Sequence, residues 1–167
     1  MRLALAQAEK SPLKPSNFRV GAVLVDEEDD NILATGYTLE LPGNTHAEQC
    51  CLQKFADAHD TSEDAMLDLL PKATAIYTTM EPCIMRLSGN LPCVDRIIET
   101  RKGKNGGIKK VYHGVKEPET FVGENKGRAK LEEAAIECIH VSGFEDEILK
   151  VATAGHKEKD NISHSSV

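Results

Sequence analysis

The sequence predicts an α/β domain in which a mixed five-stranded sheet lies between helices, as a three-layer α-β-α sandwich. Behind an N-terminal helix, apolar runs of strand length and segments of helical periodicity follow the order strand, strand, helix, strand, helix, strand, helix, strand. The chain of 167 residues is 40% hydrophobic, which suffices for one packed domain and is short for two. No internal repeat is visible. We therefore expect one domain over 1–154, followed by a polar tail, 155–167, that we expect to be disordered.

The first forty residues predict a helix and a hairpin. Leu5 and Ala8 share a helical stripe that ends before Pro12. Two β-branched runs, 20–26 and 32–35, are joined by an acidic turn whose carboxylates we expect to be solvated rather than to bind a cation.

The next segment predicts a loop and a helix. The loop over 37–45 contains Asn44, which either reaches a ligand or caps a turn, and the helix runs over 46–58. The helix carries Cys50 and Cys51, whose thiols we expect to pack in the interior.

Residues 59–79 predict a short amphipathic helix, ended by Pro71 and expected to be peripheral, and then a strand over 73–79. The strand leads into Glu81-Pro82-Cys83, which we interpret as a strand-to-helix junction.

The C-terminal half continues the alternation. The basic, glycine-containing stretch 101–110 predicts an exposed loop, with an anion site as the alternative. The predicted elements around it are a helix after Cys93, a strand over 108–115, a helix over 125–135, a strand over 136–141 and a helix over 145–154.

Composition narrows the classes of partner and compartment. The net charge of −7 disfavours nucleic acid as a substrate. Five cysteines, two of them adjacent, do not resemble a secreted disulfide framework, and neither a signal peptide nor a run long enough to span a membrane is recognisable. We therefore expect a reducing compartment, the cytosol ahead of the nucleus, and no membrane association.

Four residues in two motifs predict a catalytic zinc site: His46 and Glu48 in His-Ala-Glu, and Cys83 and Cys93, each preceded by proline. A catalytic zinc takes three nitrogen or sulfur ligands and keeps a fourth position open for water, and one His with two Cys supplies that set. Glu48 is then free to take a proton from the water and pass it to a ring nitrogen and a departing amine, as in zinc deaminases.

The spacing of the two cysteines departs from the usual deaminase pattern, in which two residues separate them. Here nine residues lie between Cys83 and Cys93. Proline favours the first turn of a helix, where free N–H groups lower a thiol pKa, so both cysteines are predicted to become thiolates. The alternative interpretation is a pair of buried structural thiols.

Four stretches resemble the deaminases of riboflavin biosynthesis, namely the deaminase domain of the bacterial bifunctional enzymes and, more closely, its fungal counterpart, within the cytidine deaminase-like superfamily. The wide cysteine spacing and the last stretch point to this branch. The stretches are 17–23 (NFRVGAV), 46–48 (HAE), 79–93 (from TMEPC to PC) and 121–127 (FVGENKG).

The resemblance implies a cytidine deaminase-like fold, a zinc ion and a phosphorylated pyrimidine as the substrate. The reaction would remove the 2-amino group of 2,5-diamino-6-ribitylamino-4(3H)-pyrimidinone 5′-phosphate, giving the corresponding aminouracil phosphate and ammonia. It places Asn17 where a side chain hydrogen-bonds the pyrimidine. A homodimer is also expected, because a neighbouring subunit completes the site in some families with this fold.

The loop between the two cysteines is expected to select the substrate, because both of its ends are tied to the metal. Arg86 is the candidate for a phosphate or ribityl contact and Asn90 for a hydroxyl or ring contact. Bacterial relatives carry a different segment here, and the alternative for both residues is a solvated loop.

Two other functions stay open. A dCMP-type or tRNA adenosine-type deaminase would predict close cysteine spacing and, for tRNA, a basic surface. A non-catalytic zinc-binding subunit of the same fold would not need Glu48 as a proton carrier.

Overall fold

The structure is a computed structural model that describes residues 1–116 and 126–156. Most of the predicted 121–127 motif and residues 157–167 of the predicted tail lie outside the described residues. The helices are α1 (Arg2–Ala8), α2 (Ala47–Ala58), α3 (Glu63–Met66), α4 (Cys93–Glu99), α5 (Gly127–Glu133) and α6 (Glu145–Ala152), and a 3-10 turn covers Thr100–Lys102. The strands are β1 (Gly21–Asp26), β2 (Asn31–Tyr37), β3 (Thr74–Met80), β4 (Lys110–Val115) and β5 (Glu137–His140).

The five strands form one mixed sheet in the order β2-β1-β3-β4-β5, which confirms the predicted fold class. The β1–β2 hairpin and the β1–β3 pair are antiparallel. The β3–β4 and β4–β5 pairs are parallel, with α4 and α5 in the two crossovers. Parallel strands place their carboxyl ends at one edge of a sheet, which is where ligands bind in open α/β folds.

Two apolar clusters make up the core, and α1 and α2 pack on opposite faces of the sheet, since Gly21 of β1 faces α1 whereas its neighbour Ala22 belongs to the cluster with α2. The larger cluster joins Leu52 of α2, Ile97 of α4 and Leu131 of α5 to strand residues such as Ile76. The smaller one joins Leu5 of α1 to Ile148 of α6, beside the ends of β3 and β4. The sheet therefore lies between two helical layers, as the alternating pattern predicts.

The prediction that 59–72 is peripheral is wrong. Met66 and Leu70 are fully buried and belong to the larger cluster, where they pack beside α2. Met66 is the last residue of α3, and the turn that follows brings Leu70 into the same cluster, so the segment closes the main core.

The predicted strand-to-helix junction at Cys83 is also wrong. Cys83 lies in an irregular loop after β3, and the next helix begins ten residues later at Cys93. Within the described ranges, the structure contains no helix long and apolar enough to cross a membrane.

Candidate metal centre and its pocket

His46, Cys83 and Cys93 converge from three separate segments of the chain. His46 is the N-cap residue of α2, Cys93 opens α4, and Cys83 lies in the loop after β3. The Nδ1 atom of His46 is 3.5 Å from the Sγ atom of Cys83 and 3.5 Å from that of Cys93. Their ligand atoms all lie within 4.8 Å of one another, and in the described part of the chain no other group of three or more metal-binding side chains does so. The three side chains thus form a set that can hold a metal ion.

Two backbone N–H groups at the start of α4 hold Cys83 in place. The backbone N–H of Cys93 donates to the Cys83 Sγ atom at 3.4 Å, and the N–H of Val94 donates to the Cys83 carbonyl oxygen at 3.1 Å. The first N–H groups of a helix have no partner inside the helix, so Cys83 satisfies two of them. Both thiols therefore lie at the start of α4, whereas the Pro-Cys pairs predict a separate helix start for each of them.

Close packing of β2 on α2 fixes His46. Gly36 of β2 faces the helix so closely that a Cβ atom there would lie 2.3 Å from the Ala47 carbonyl oxygen. Only glycine permits this approach of a strand to the first turn of a helix. The first turn of α2, which follows His46 and contains Glu48, is thereby held against the sheet.

Glu48 is 3% exposed, on the first turn of α2. Burial raises the pKa of its carboxyl, and the negative charge of Cys83 raises it further. The hydroxyl of Thr78 lies 3.2 Å from its Oε1 atom. A carboxyl with a raised pKa, in contact with the ligand cysteines, is suited to accept and release a proton.

The two ligand thiols differ in acidity. Hydrogen bonds from Cys93 and His46 lower the pKa of Cys83 to about 4. The hydrogen bond to Cys83, together with burial, raises the pKa of Cys93. Without a metal ion, one thiolate is therefore stabilised and the second thiol keeps its proton, so that binding of a metal to both would release that proton.

A cavity of about 230 Å³ opens beside the cluster. His46, Glu48 and Cys83 contribute to its wall, and so do three of the predicted substrate contacts, Asn17, Asn44 and Arg86. Its remaining lining residues are Ser16, Phe18, Val20, Thr38, Met80, Glu81, Met85, Leu87 and Ser88.

Asn17 and Asn44 meet at the cavity wall, where the Asn17 Nδ2 atom donates to the Asn44 Oδ1 atom at 3.1 Å. Arg86 is 9% exposed and donates to the Gln49 Oε1 atom at 2.9 Å and to the Asn44 carbonyl oxygen. Its Nε atom is buried without a hydrogen-bond partner. Arg86 therefore joins three segments of the site through its two terminal nitrogens.

The structure does not bring Asn90 to the cavity. Its side chain is exposed on the loop between the two cysteines, and it is absent from the cavity lining. The loop turns at Gly89, which has φ +77° and directly precedes Asn90. The basic residues 101–110 likewise do not line the cavity.

Sequence reasoning missed Thr78, Gln49 and Phe18. Thr78 lies on the strand that ends just before the Glu-Pro-Cys motif, on the face opposite Thr79, and the sequence alone does not show which of these two faces meets α2. Gln49 follows Glu48 directly, but its contact with Arg86 spans 37 residues and leaves no local pattern.

Comparisons with known proteins show which family has a region similar to the one that contains this site. The model of the cytidine and deoxycytidylate deaminase zinc-binding region matches residues 1–112. A diaminohydroxyphosphoribosylamino-pyrimidine deaminase of Schizosaccharomyces pombe is 37% identical over 161 residues, or 95% of this chain and 35% of that protein. The chain thus spans about a third of the length of this curated relative.

Solved structures give the same picture. The C-terminal deletion mutant of Aspergillus oryzae Rib2 deaminase, crystallised at pH 4.6, is 55% identical with a TM-score of 0.86, covering 94% of this chain and 90% of that one. A second structure of that mutant, in complex with DARIPP, is 53% identical with a TM-score of 0.83, covering 93% and 89%. RibD of Acinetobacter baumannii shares the fold at 22% identity and a TM-score of 0.66, over 92% of this chain and 37% of that one.

Proposed function

Because the chain belongs to the cytidine and deoxycytidylate deaminase family, and within it to the Rib2 deaminases, we propose that it is a pyrimidine deaminase of riboflavin biosynthesis. Its substrate would be 2,5-diamino-6-ribitylamino-4(3H)-pyrimidinone 5′-phosphate. Water replaces the 2-amino group, so that a C–O bond forms at C2, the C–N bond breaks, and ammonia leaves. The products are 5-amino-6-ribitylaminouracil 5′-phosphate and ammonia.

The observation that carries this proposal is the presence of Glu48 in one cavity with the metal-binding cluster. A non-catalytic zinc subunit has no use for a buried carboxyl beside three ligands. A relative that this chain resembles at 53% identity was crystallised with DARIPP, which supports a small pyrimidine as the ligand of this cavity.

The geometry of the cluster fits zinc. Bonds of about 2.0 Å to nitrogen and 2.3 Å to sulfur at tetrahedral angles would separate the two atoms by about 3.5 Å. The His46 Nδ1 atom lies 3.5 Å from each ligand sulfur. His46, Cys83 and Cys93 would hold the ion, and a bound zinc would lower the pKa of a water molecule so that it serves as nucleophile near neutral pH.

The residues of the chain then move protons and orient the ring. Glu48 would take one proton from the attacking water and pass it to the ring nitrogen, and would then carry the second proton, from the hydroxyl on C2, to the leaving amine. Thr78 orients Glu48 through its hydroxyl, and the buried setting strengthens that contact. We assign Asn17 and Asn44 to the polar edge of the pyrimidine and the guanidinium of Arg86, which lines the cavity, to an oxygen of the ribityl phosphate.

We further propose a homodimer, because large apolar side chains are exposed on the loop that forms one side of the cavity. Leu87 is 91% exposed, and Met85 and Leu91 are also exposed on the same loop. A second copy of the chain would cover them. Light scattering of the protein at several concentrations tests this, and a monomer at every concentration would contradict it.

We propose the cytosol as the compartment, with the nucleus as the alternative. All five cysteines are free and buried, which is usual for proteins of a reducing compartment. Fractionation of cells that express the tagged chain tests this placement.

Ammonia release tests the function. The zinc-loaded protein is incubated with the diaminopyrimidinone ribityl phosphate, and in parallel with dCMP, cytidine and an adenosine-containing tRNA loop. We expect turnover of the first substrate alone. Turnover of another substrate and not the first would keep the deaminase chemistry and overturn the assigned pyrimidine.

A further inference from the structure

The wall of the cavity that carries Asn17 and Phe18 has no regular secondary structure. It belongs to the connection between α1 and β1, residues 9–20, which forms turns and extended backbone. Ser16, Asn17 and Phe18 all line the cavity. A loop that binds substrate needs support from elsewhere in the fold, because a mobile wall weakens affinity.

The start of the chain holds one side of this connection. The Arg19 Nε atom donates to the Ser11 carbonyl oxygen at 2.8 Å, and its guanidinium also donates to the Glu9 carbonyl oxygen. These hydrogen bonds join Arg19, near the end of the connection, to residues that directly follow α1. Within the connection, Phe18 packs against the smaller apolar cluster, which contains Leu5 of α1 and Ile148 of α6.

The turn after α6 supports the middle and the end of the connection. The N–H of Arg19 donates to the Ala152 carbonyl oxygen at 3.0 Å. Gly155 packs directly on the backbone of Lys14, since a Cβ atom at Gly155 would lie 2.5 Å from the Lys14 nitrogen and 2.7 Å from its oxygen. The backbone of the C-terminal turn therefore touches the connection on both sides of Asn17 and Phe18.

His156 closes the contact. Its ring lies 4.7 Å from the ring of Phe18 at an interplanar angle of 57°, and its Nε2 atom lies 3.1 Å from the Asn17 carbonyl oxygen. A carbonyl oxygen only accepts, so Nε2–H donates. One side chain thus contacts two adjacent residues of the cavity wall, although 139 positions separate it from Asn17.

We propose that His156 is a positioning residue of the active site, which holds Asn17 and Phe18 in the orientation that binds the pyrimidine. This rests on the proposed function as far as the substrate is concerned. His156 itself does not line the cavity and touches neither Glu48 nor the metal ligands. Its contribution is therefore to substrate affinity, and the chemical step does not depend on it.

The test compares full-length variants. His156→Ala removes both contacts, His156→Phe keeps the ring contact, and His156→Gln keeps an N–H donor. Gly155→Ala separates the backbones of the turn and Lys14 while His156 stays in place. Lys150→Ala, an exposed change on α6, is the matched control.

We measure KM, kcat, bound zinc and amide hydrogen exchange of residues 13–20. For His156→Ala we expect KM to rise about threefold to tenfold, with kcat and zinc content unchanged and exchange in 13–20 faster. Gly155→Ala should act in the same direction. His156→Phe and His156→Gln should each restore part of the wild-type KM, and Lys150→Ala should match wild type.

Unchanged KM and unchanged exchange in His156→Ala would overturn the proposal. A fall in kcat or zinc content with unchanged KM would overturn it too, because it would place the effect in the chemistry. If the wild-type protein does not turn over the diaminopyrimidinone, the proposed function fails. The exchange comparison still decides whether His156 holds residues 13–20.

Discussion

The hydroxyl of Thr78 lies 3.2 Å from the Oε1 atom of Glu48 and 2.9 Å from the Met80 carbonyl oxygen. A threonine hydroxyl has one proton to donate and two lone pairs. It can donate to Glu48 when that carboxyl is ionised. When Glu48 is protonated, the hydroxyl can accept from it and donate to Met80. Thr78 can therefore orient the proton carrier in both of its protonation states.

Thr78→Val should lower kcat about tenfold or more. The change keeps the shape of the side chain and removes the hydroxyl that contacts the buried Glu48 carboxyl, and loss of a hydrogen bond to a charged group costs about 1.5–3 kcal/mol. Thr78→Ser should restore most of kcat, and zinc content should match wild type in both variants. A Thr78→Val protein with wild-type kcat would show that Glu48 is oriented by other contacts.

Glu48→Gln should abolish most turnover and keep the metal. The amide keeps the size of the side chain but cannot carry a proton between water and the leaving amine, and loss of such a group costs about 10² to 10⁴ in rate. Ammonia release and bound zinc are measured side by side, with Glu133→Gln on the exposed face of α5 as control. Retained turnover in Glu48→Gln would remove Glu48 from the mechanism.

Removal of the metal should expose Cys83 to alkylation. Hydrogen bonds from Cys93 and His46 lower its pKa to about 4, so that it is a thiolate throughout pH 6–8 in the metal-free protein. Burial raises the pKa of Cys51 and raises that of Cys138 to about 11, which keeps both as unreactive thiols. With iodoacetamide and peptide mass mapping, chelation should lead to labelling of Cys83 first, and added zinc should protect it.

The pH dependence of this labelling has a definite sign. A lowered pKa means that the thiolate persists as pH falls, so labelling of Cys83 at pH 6 should stay close to its value at pH 7. An ordinary thiol would lose about tenfold over the same interval, because its thiolate fraction falls with each unit below its pKa. First labelling of Cys138 or Cys51, or equal labelling with and without chelator, would contradict the assigned environment of Cys83.

The metal-binding residues and Glu48 could be predicted from sequence, because the His-Ala-Glu motif and the two Pro-Cys pairs are local motifs whose chemistry needs those residue types. The five-stranded sheet could be predicted because strand and helix periods are also local. Thr78 and His156 could not, since their roles depend on which strand face meets α2 and on a contact across 139 positions. The loop between the two cysteines predicts Arg86 as a candidate contact, but its hydrogen bonds with Gln49 and Asn44 depend on how that loop folds inward.

Arg86→Ala should raise the KM for the phosphorylated substrate by about tenfold, since hydrogen bonds from a charged group are worth about 1.5–3 kcal/mol. Gln49→Leu is the matched control, because it removes one partner of Arg86 and leaves the guanidinium itself in place. We expect the ratio of kcat/KM for the phosphorylated and dephosphorylated substrates to fall in Arg86→Ala and to change little in Gln49→Leu.

Equal effects of the Arg86 and Gln49 variants would make Arg86 a purely positioning residue. An unchanged KM in Arg86→Ala would move the phosphate contact to another part of the protein.

Gly36→Ala should weaken metal binding and stability together. The added Cβ would lie 2.3 Å from the Ala47 carbonyl oxygen and 2.8 Å from the Cys51 nitrogen, so β2 and the first turn of α2 must move apart. Overpacking of this kind costs about 1–3 kcal/mol, and here it displaces the turn that carries Glu48 next to His46. Urea unfolding and zinc titration measure both effects.

Gly143→Ala is the control for Gly36→Ala. Gly143 has φ +89° and open space around it, so alanine there meets only backbone strain of about 1–2 kcal/mol, in the connection between β5 and α6, which carries no metal ligand. Zinc affinity should therefore fall in Gly36→Ala and stay at the wild-type value in Gly143→Ala, even if both unfold at lower urea. Equal zinc affinity in the two variants would show that the approach of β2 to α2 does not set the position of His46 and Glu48.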